Sequence, residues 1–183
     1  MAAPTRTPRS SWIEEGLRAL GVGGLDAVRI EKLAQALGVT KGGFYWHFDG
    51  RQALLDEMLD VWERVVIDDV IERVEGGGED ARSKLERLFT LAGSGGDLWQ
   101  IEFVIREWAR RDRRVARRIK RIDNRRMEYM RSLFGEICAD DEEVEARCFI
   151  ALSLFLGKDL VAADHGDRTR REVVAAVLRR LEA

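Results

Sequence analysis

Residues 29–51 read RIEKLAQALGVTKGGFYWHFDGR, and the spacing within this stretch decides the fold. Ile30, Leu33, Ala34 and Leu37 recur at three and four residues, the period of an α-helix. Ala34 is small, as a closely crossing second helix demands. Gly38 follows four residues on, where a tight turn needs a positive φ, and Val39 fills the angle between the helices. Thr40 is a favoured N-cap residue for the helix that comes next. In that helix Phe44 and Phe48 share one face by the i, i+4 rule and pack inward, leaving Lys41, Tyr45, Trp46 and His47 on other faces. The pattern is a helix-turn-helix.

The outward residues carry chemistry suited to duplex DNA. Lys41 supplies a phosphate-seeking cation, Tyr45 and His47 supply donors for backbone oxygens, and Trp46 supplies apolar area for a thymine methyl or a sugar. Gly42 and Gly43 each cost about 1 kcal/mol relative to Ala inside a helix, so a compensating use is expected. Close approach is that use: without side chains the helix N-terminus presses its N–H groups toward DNA. The competing reading is a glycine-softened turn that merely buries aromatic rings.

Working outward, the 183 residues suffice for a small head on a medium body, and 45% hydrophobic with 35% charged residues excludes a disordered tail or a membrane protein. The longest apolar stretch, Phe149 to Leu156, is interrupted by Ser153 and falls far short of the ~20 residues a bilayer needs. Met1 to Ser10 carries Arg6 and Arg9 but lacks the apolar core of a secretory signal, so a cytoplasmic protein is expected. Cys138 and Cys148, ten residues apart, match no thiol-redox or zinc spacing and read as reduced packing residues. The net charge is −2, but residues 1–51 hold seven Lys or Arg against five Asp or Glu, and the remainder 24 against 28. A mildly basic head on an acidic body suits local phosphate contact.

Both prolines, Pro4 and Pro8, lie in the leading tail, so nothing after them breaks a helix. Ile13, Leu17 and Leu20 start a helix after Ser10 or Ser11, with Ser11 and Glu14 as a capping box. The Asp49–Gly50 pair reads as an interhelical turn. Leu54 to Val66 marks a long helix from about Arg51 to Val74, and further helices fall at Leu85 to Leu91, Leu98 to Arg110 and Arg113 to Ile137. Asp140 or Asp141 caps a helix reaching Ala163, and Val173 to Leu181 closes the chain. The fold class is all-α: about nine helices, a three-helix N-terminal head and a C-terminal helical body. Residues 1–50 form the DNA-binding domain, with 1–9 as a flexible tail, and residues 51–183 the ligand-binding and dimerisation domain.

The segment VTKGGFYWHFDGRQALLDEM resembles the hallmark of the TetR family of bacterial transcription regulators. The resemblance covers roughly the first third of the chain. It implies that Thr40, Lys41, Tyr45 and His47 contact the phosphate backbone, that Gly42, Gly43 and Trp46 lie nearest the bases, and that Arg51 anchors the next helix to a phosphate. Two positions depart from the family: Arg29 stands where Thr is usual, so that phosphate contact passes to an arginine, and Phe44 stands where Leu or Val is usual. The implied partners are a palindromic double-stranded operator, a second copy of the chain, and a small, largely apolar effector that releases a repressor from DNA. No cofactor, metal or membrane is implied.

For the effector, Trp62, Val66, Trp99 and Phe103 are candidate contacts, together with Met127, Met130, Phe134, Phe149 and Phe155. Large aromatics and Met line adaptable pockets, and they also simply fill cores. Arg106 to Arg126 holds eleven basic residues, readable as a solvated face paired with acidic neighbours or as a second DNA surface. Asp164, His165 and Asp167 read as a helix C-terminus ending at Gly166 rather than as a metal cluster. No nucleophile sits in an elbow or phosphate loop, so an enzyme is not expected. A helical interaction module that does not bind DNA specifically is the alternative function.

Overall fold

The structure, a computed structural model, describes residues 7–77, 80–93 and 97–182, and every regular element among them is helical. Helix α1 (Arg9–Gly23) buries Trp12, Ile13, Gly16 and Leu20. It begins earlier than expected and without the Ser11–Glu14 capping box: Pro8 is the N-cap residue, and its carbonyl accepts from Ser11 N–H at 3.2 Å. The fixed φ of Pro8 ends the extended lead, and Arg9, held by Glu57, adds the extra turn. A 3-10 turn (Leu25–Ala27) leads into α2 (Ile30–Ala36). Gly38 adopts φ +68°, while the N–H of Val39 donates to Ala34 at 2.9 Å, so the tight turn requires glycine as the spacing predicts.

Helix α3 (Lys41–Phe44) is a single turn prolonged by two further bonds, from the N–H groups of His47 and Phe48 to the Phe44 carbonyl at 2.9 and 3.1 Å. Thr40 occupies the N-cap position in extended geometry, but its hydroxyl makes no capping bond. Helix α4 (Arg51–Glu63) continues through a π-helical segment (Arg64–Asp68) into α5 (Asp69–Glu75), where one uninterrupted α-helix is expected from the sequence. Next come α6 (Ala81–Gly93), α7 (Asp97–Ala109) and α8 (Arg113–Phe134). The Asp112 carboxylate accepts from the N–H groups of Arg114 and Val115 at the start of α8, and Gly135 ends it before Ile137.

Helix α9 (Asp141–Gly157) is capped by the Asp140 side chain, which accepts from Glu142 N–H. Helix α10 (Arg170–Glu182) opens on a capping box: Glu172 accepts from Thr169 N–H at 2.6 Å, and Thr169 Oγ1 accepts from Glu172 N–H at 3.2 Å. With α4, the π segment and α5 taken as one run, the described residues hold nine helical runs. Because α9 stops at Gly157, His165 lies in the following loop and not at a helix end. Gly166 spends its φ of +63° on a turn in which Arg168 N–H donates to the His165 carbonyl.

Two compact units emerge. Of the described residues, the first comprises those up to Val66 together with 97–119, so α4, α7 and the start of α8 pack with the helix-turn-helix. Its core includes Trp12, Leu33, Phe44, Phe48, Leu54, Met58 and Trp62. The second comprises Ile67–Gly95 with Lys120–Ala183, and Leu85, Met127, Met130, Leu133, Phe134, Cys148 and Leu181 share its core. In this unit α9 buries Val144, Cys148 and Ala151 but leaves Phe149 65% exposed, with Ile150 beside it and Leu160 and Val161 beyond its end. Among the described residues no helix is long and apolar enough to cross a membrane.

Candidate nucleic-acid interface

The recognition turn rests on a stack of aromatic rings. Phe44 meets Trp12 edge-on at 5.3 Å and Phe48 face-on at 5.1 Å, and the Arg9 guanidinium covers the Phe48 ring at 4.4 Å. Trp12, Phe44 and Phe48 are buried. Each such ring pair contributes about 0.5–1.5 kcal/mol beyond area burial. Arg9 also pairs with Glu57 on α4 and donates to the His47 carbonyl, tying α1, α3 and α4 together. Residues 7–9 are therefore engaged with the head, whereas residues 1–6 of the expected flexible tail lie outside the described residues. Sequence reading passed over Trp12; its signal was the four-residue spacing Trp12, Gly16, Leu20 along the buried face of α1.

On the opposite face of the turn, Tyr45 is 52% and Trp46 74% exposed, large rings held outward by a closed core beneath. Lys41 is exposed and pairs with Glu31 of α2. The hydrogen bond that the Lys41 ammonium donates to the Glu31 carboxylate holds that carboxyl below its ordinary pKa and the ammonium above its own. An exposed pair of this kind is weak, so a phosphate competes readily for the lysine. Arg29 is exposed at the N-cap of α2 and donates to the Asp26 carbonyl at 2.9 Å. Lys32, one turn further along α2, is also exposed and adds a cation that the sequence reading did not single out.

Internal packing does not ask for glycine at positions 42 and 43. A Cβ there would meet nothing nearer than Thr40 Oγ1 at 3.8 Å and Trp12 Cζ2 at 3.9 Å, ordinary van der Waals contacts. Of the two, Gly42 is exposed, whereas Gly43 is half-buried against the Trp12 ring.

Two residues are turned inward. Arg51 donates from Nε to the Val28 carbonyl and from a terminal nitrogen to the Leu25 carbonyl, each at 2.6 Å, so the arginine expected at a phosphate braces the start of α4 against the 3-10 turn. His47 Nε2 lies 2.9 Å from the Thr7 carbonyl; since a carbonyl only accepts, Nε2 carries a proton.

The residues expected around an effector are not brought together in one unit. Trp62, Val66 and Phe103 belong to the first; Met127, Met130 and Phe134 sit in the core of the second, and Phe155 of that unit packs under the Arg126 guanidinium at 5.1 Å. Phe149 faces outward on α9 and lines no interior. The Trp99 side chain lies outside the described residues. Trp62 is buried with its indole N–H lacking an acceptor among the described residues.

With this geometry in place, comparisons with known proteins are informative. Residues 13–58 match the model of bacterial regulatory proteins of the tetR family. The HTH-type transcriptional repressor KstR2 of Rhodococcus jostii is 34% identical over 70 residues, covering 37% of this chain and 32% of that protein. The alignment thus spans about a third of this curated relative's length. Over nearly the whole chain the likeness is one of fold. A regulator of Saccharomonospora viridis in complex with choline superposes with a TM-score of 0.74 at 18% identity, covering 94% of this chain and 92% of its own. AibR, in complex with isovaleryl coenzyme A and operator DNA, superposes with a TM-score of 0.68 at 15% identity, covering 94% and 96%. The N-terminal head, over residues 13–58, is thus similar to the tetR family of bacterial regulatory proteins, and beyond it the likeness to solved regulators is one of fold.

Proposed function

We propose that the chain is a homodimeric DNA-binding transcriptional regulator, a repressor released from its operator by a small, largely apolar ligand. The observation that carries this reading is the recognition turn: Tyr45 and Trp46 exposed beside Lys41 and two glycines that the internal packing does not require, all on an aromatic base. Lys41, Tyr45, Thr40 and Arg29 hold phosphates, joined by His47 when its Nδ1 is also protonated, while Gly42, Gly43 and Trp46 approach the bases. Arg51 acts one step back, by fixing the angle between α4 and the head. Residues 1–50 make the DNA contacts, and the remainder positions two copies of them.

The exposed Phe149, Ile150, Leu160 and Val161 support self-association through α9 and α10, since an apolar surface of this kind is costly in water. Two-fold related heads reach successive major grooves only at about 34–36 Å separation. A ligand that favours another separation lowers DNA affinity, and a tenfold preference for that state corresponds to about 1.4 kcal/mol per site. The run from Arg51 to Glu75 is the lever we favour, because the chain leaves the first unit within it, at Val66, inside a π-helical segment of the type often found at functional positions. The unpaired Trp62 N–H supports an effector that carries at least one hydrogen-bond acceptor. Gel-shift titration against duplex fragments from upstream of neighbouring genes tests the reading. Saturable, sequence-selective retardation is expected; equal affinity for all fragments, or none, would favour a protein-interaction module instead.

A further inference from the structure

The basic stretch contains two kinds of arginine, and the structure separates them. Arg114 pairs with Asp56 at 3.1 Å, and Arg118 with Asp60 and Glu63 at 2.6 and 2.8 Å, so carboxylates of α4 neutralise both. Arg113 and Arg117 lie one turn apart on the exposed side of the same helix and make no ion pair or side-chain hydrogen bond among the described residues. Just before them, Arg110 and Arg111, each 80% exposed, share the single carboxylate of Glu107. Asp112, the other acid of this corner, is engaged by the N–H groups of Arg114 and Val115.

All four outward arginines belong to the compact unit that carries the helix-turn-helix. The Arg114–Asp56 pair fixes their place, because Asp56 is five residues beyond Arg51, about 7.5 Å along the helix, and Arg51 is bonded to the segment leading into α2. The corner between α7 and α8 therefore sits within about two helical turns of the start of α4.

We propose that Arg110, Arg111, Arg113 and Arg117 form a second phosphate-binding surface, which holds the backbone of duplex DNA outside the operator half-site without reading its sequence. The inference rests on the DNA-binding reading above. Charge complementarity selects the partner: Arg113 and Arg117 stand about 6 Å apart along α8, with Arg110 and Arg111 in the turn just before it, against a duplex strand that carries one charge per about 3.4 Å of axis. None of the exposed large hydrophobic residues lies at this corner, where Trp108 and Val115 are buried. It thus lacks the apolar side chains by which an interfacial helix enters a membrane and the aromatic anchors of a protein hot spot.

The test uses the full-length protein, a random-sequence duplex of about 40 base pairs, and vesicles of phosphatidylglycerol in phosphatidylcholine. Three proteins are compared: wild type, the fourfold variant Arg110→Gln, Arg111→Gln, Arg113→Gln, Arg117→Gln, and the head variant Lys41→Ala, Tyr45→Ala. Each phosphate contact contributes about 0.9 to the slope of log affinity against log salt. The fourfold variant is expected to melt with wild type, to lose about 2 to 4 of that slope per protomer, and to bind the duplex at least about tenfold more weakly at low salt. An unchanged slope in the fourfold variant, with the head variant still impaired, overturns this surface and leaves the DNA-binding reading standing. Loss of vesicle binding in place of duplex binding also overturns it. A wild-type protein that ignores duplex DNA at every salt concentration overturns both.

Discussion

The recognition turn and the outward face of α9 both expose large side chains, but in opposite settings. At the turn, Tyr45 and Trp46 stand out from a closed stack of Trp12, Phe44 and Phe48, flanked by Lys41 and by the bare backbone of Gly42 and Gly43. At α9, Phe149 and Ile150 stand out beside half-buried Leu152 and Leu154. An aromatic ring among cations and bare backbone has the chemistry to meet a polyanion; an aliphatic and aromatic face has the chemistry to meet another apolar face. Exposure alone therefore says little, and the charge and rigidity around the exposed group decide what it is for.

A change of assembly breaks the comparison on the α9 side. Phe149→Asp with Ile150→Asp should convert a dimer to a monomer in sedimentation equilibrium and weaken binding to a two-fold symmetric duplex by about 100-fold, because one head must then act without its tethered twin. A monomeric wild-type protein at micromolar concentration would remove the dimer from the account.

Next comes the contrast between the base of the turn and its exposed ring. Phe44→Ala should cost about 3–5 kcal/mol and abolish DNA binding by unfolding the head. Trp46→Ala should leave stability within about 0.5 kcal/mol yet reorder the affinities for operator variants. Denaturant titration and a competition series on single-base variants measure the two arms; an unchanged ranking for Trp46→Ala would strip that residue of its base-reading role.

Smaller differences separate outward from inward cations. Lys41→Ala should weaken all duplexes alike and reduce the salt slope by about 1. Arg51→Met should instead destabilise the protein by about 1–3 kcal/mol, through the Val28 and Leu25 carbonyls it deserts, with the salt slope unchanged. A reduced slope for Arg51→Met would restore the phosphate contact expected from the sequence.

The smallest effect concerns pH. The hydrogen bond from Arg9 holds the Glu57 carboxyl below its ordinary value of 4.5. A folded-state pKa lowered in this way gives stability that is present above the unfolded value and lost as pH falls through the folded one. Glu57→Gln should therefore lower the melting temperature at pH 7 and converge on wild type in acid below the ordinary Glu range. Parallel melting curves at all pH values would show that the Arg9–Glu57 pair contributes nothing.

The helical runs and the helix-turn-helix were legible in the sequence because they depend on local periods: three-and-four spacing, a positive-φ glycine at Gly38, and the i, i+4 pair Phe44 and Phe48. What was not legible depends on choices made in three dimensions. Arg51 could reach a phosphate or a carbonyl, and only the position of the 3-10 turn decides between them. Phe149 and Phe134 have the same chemistry and both lie on helices, yet one faces out and the other is fully buried, since α9 turns only part of its apolar circumference to its own core. The basic run could be divided into paired and unpaired arginines only once the carboxylates of α4 were placed opposite it. The π-helical segment at Arg64–Asp68 has no marker in a sequence that reads as continuous helix.

The central claim, that Lys41, Tyr45 and Trp46 present a recognition turn to duplex DNA in a two-fold dimer, is tested most directly by selecting ligands for the purified full-length protein from a pool of randomised duplexes and sequencing the survivors. The account predicts enrichment of an inverted repeat whose half-sites are centred about 10 base pairs, or a related groove spacing, apart. It also predicts that Trp46→Ala enriches a different or degenerate half-site while keeping that spacing. A pool that stays random after repeated rounds with wild-type protein, or that converges on the same half-sites with Trp46→Ala, would contradict it.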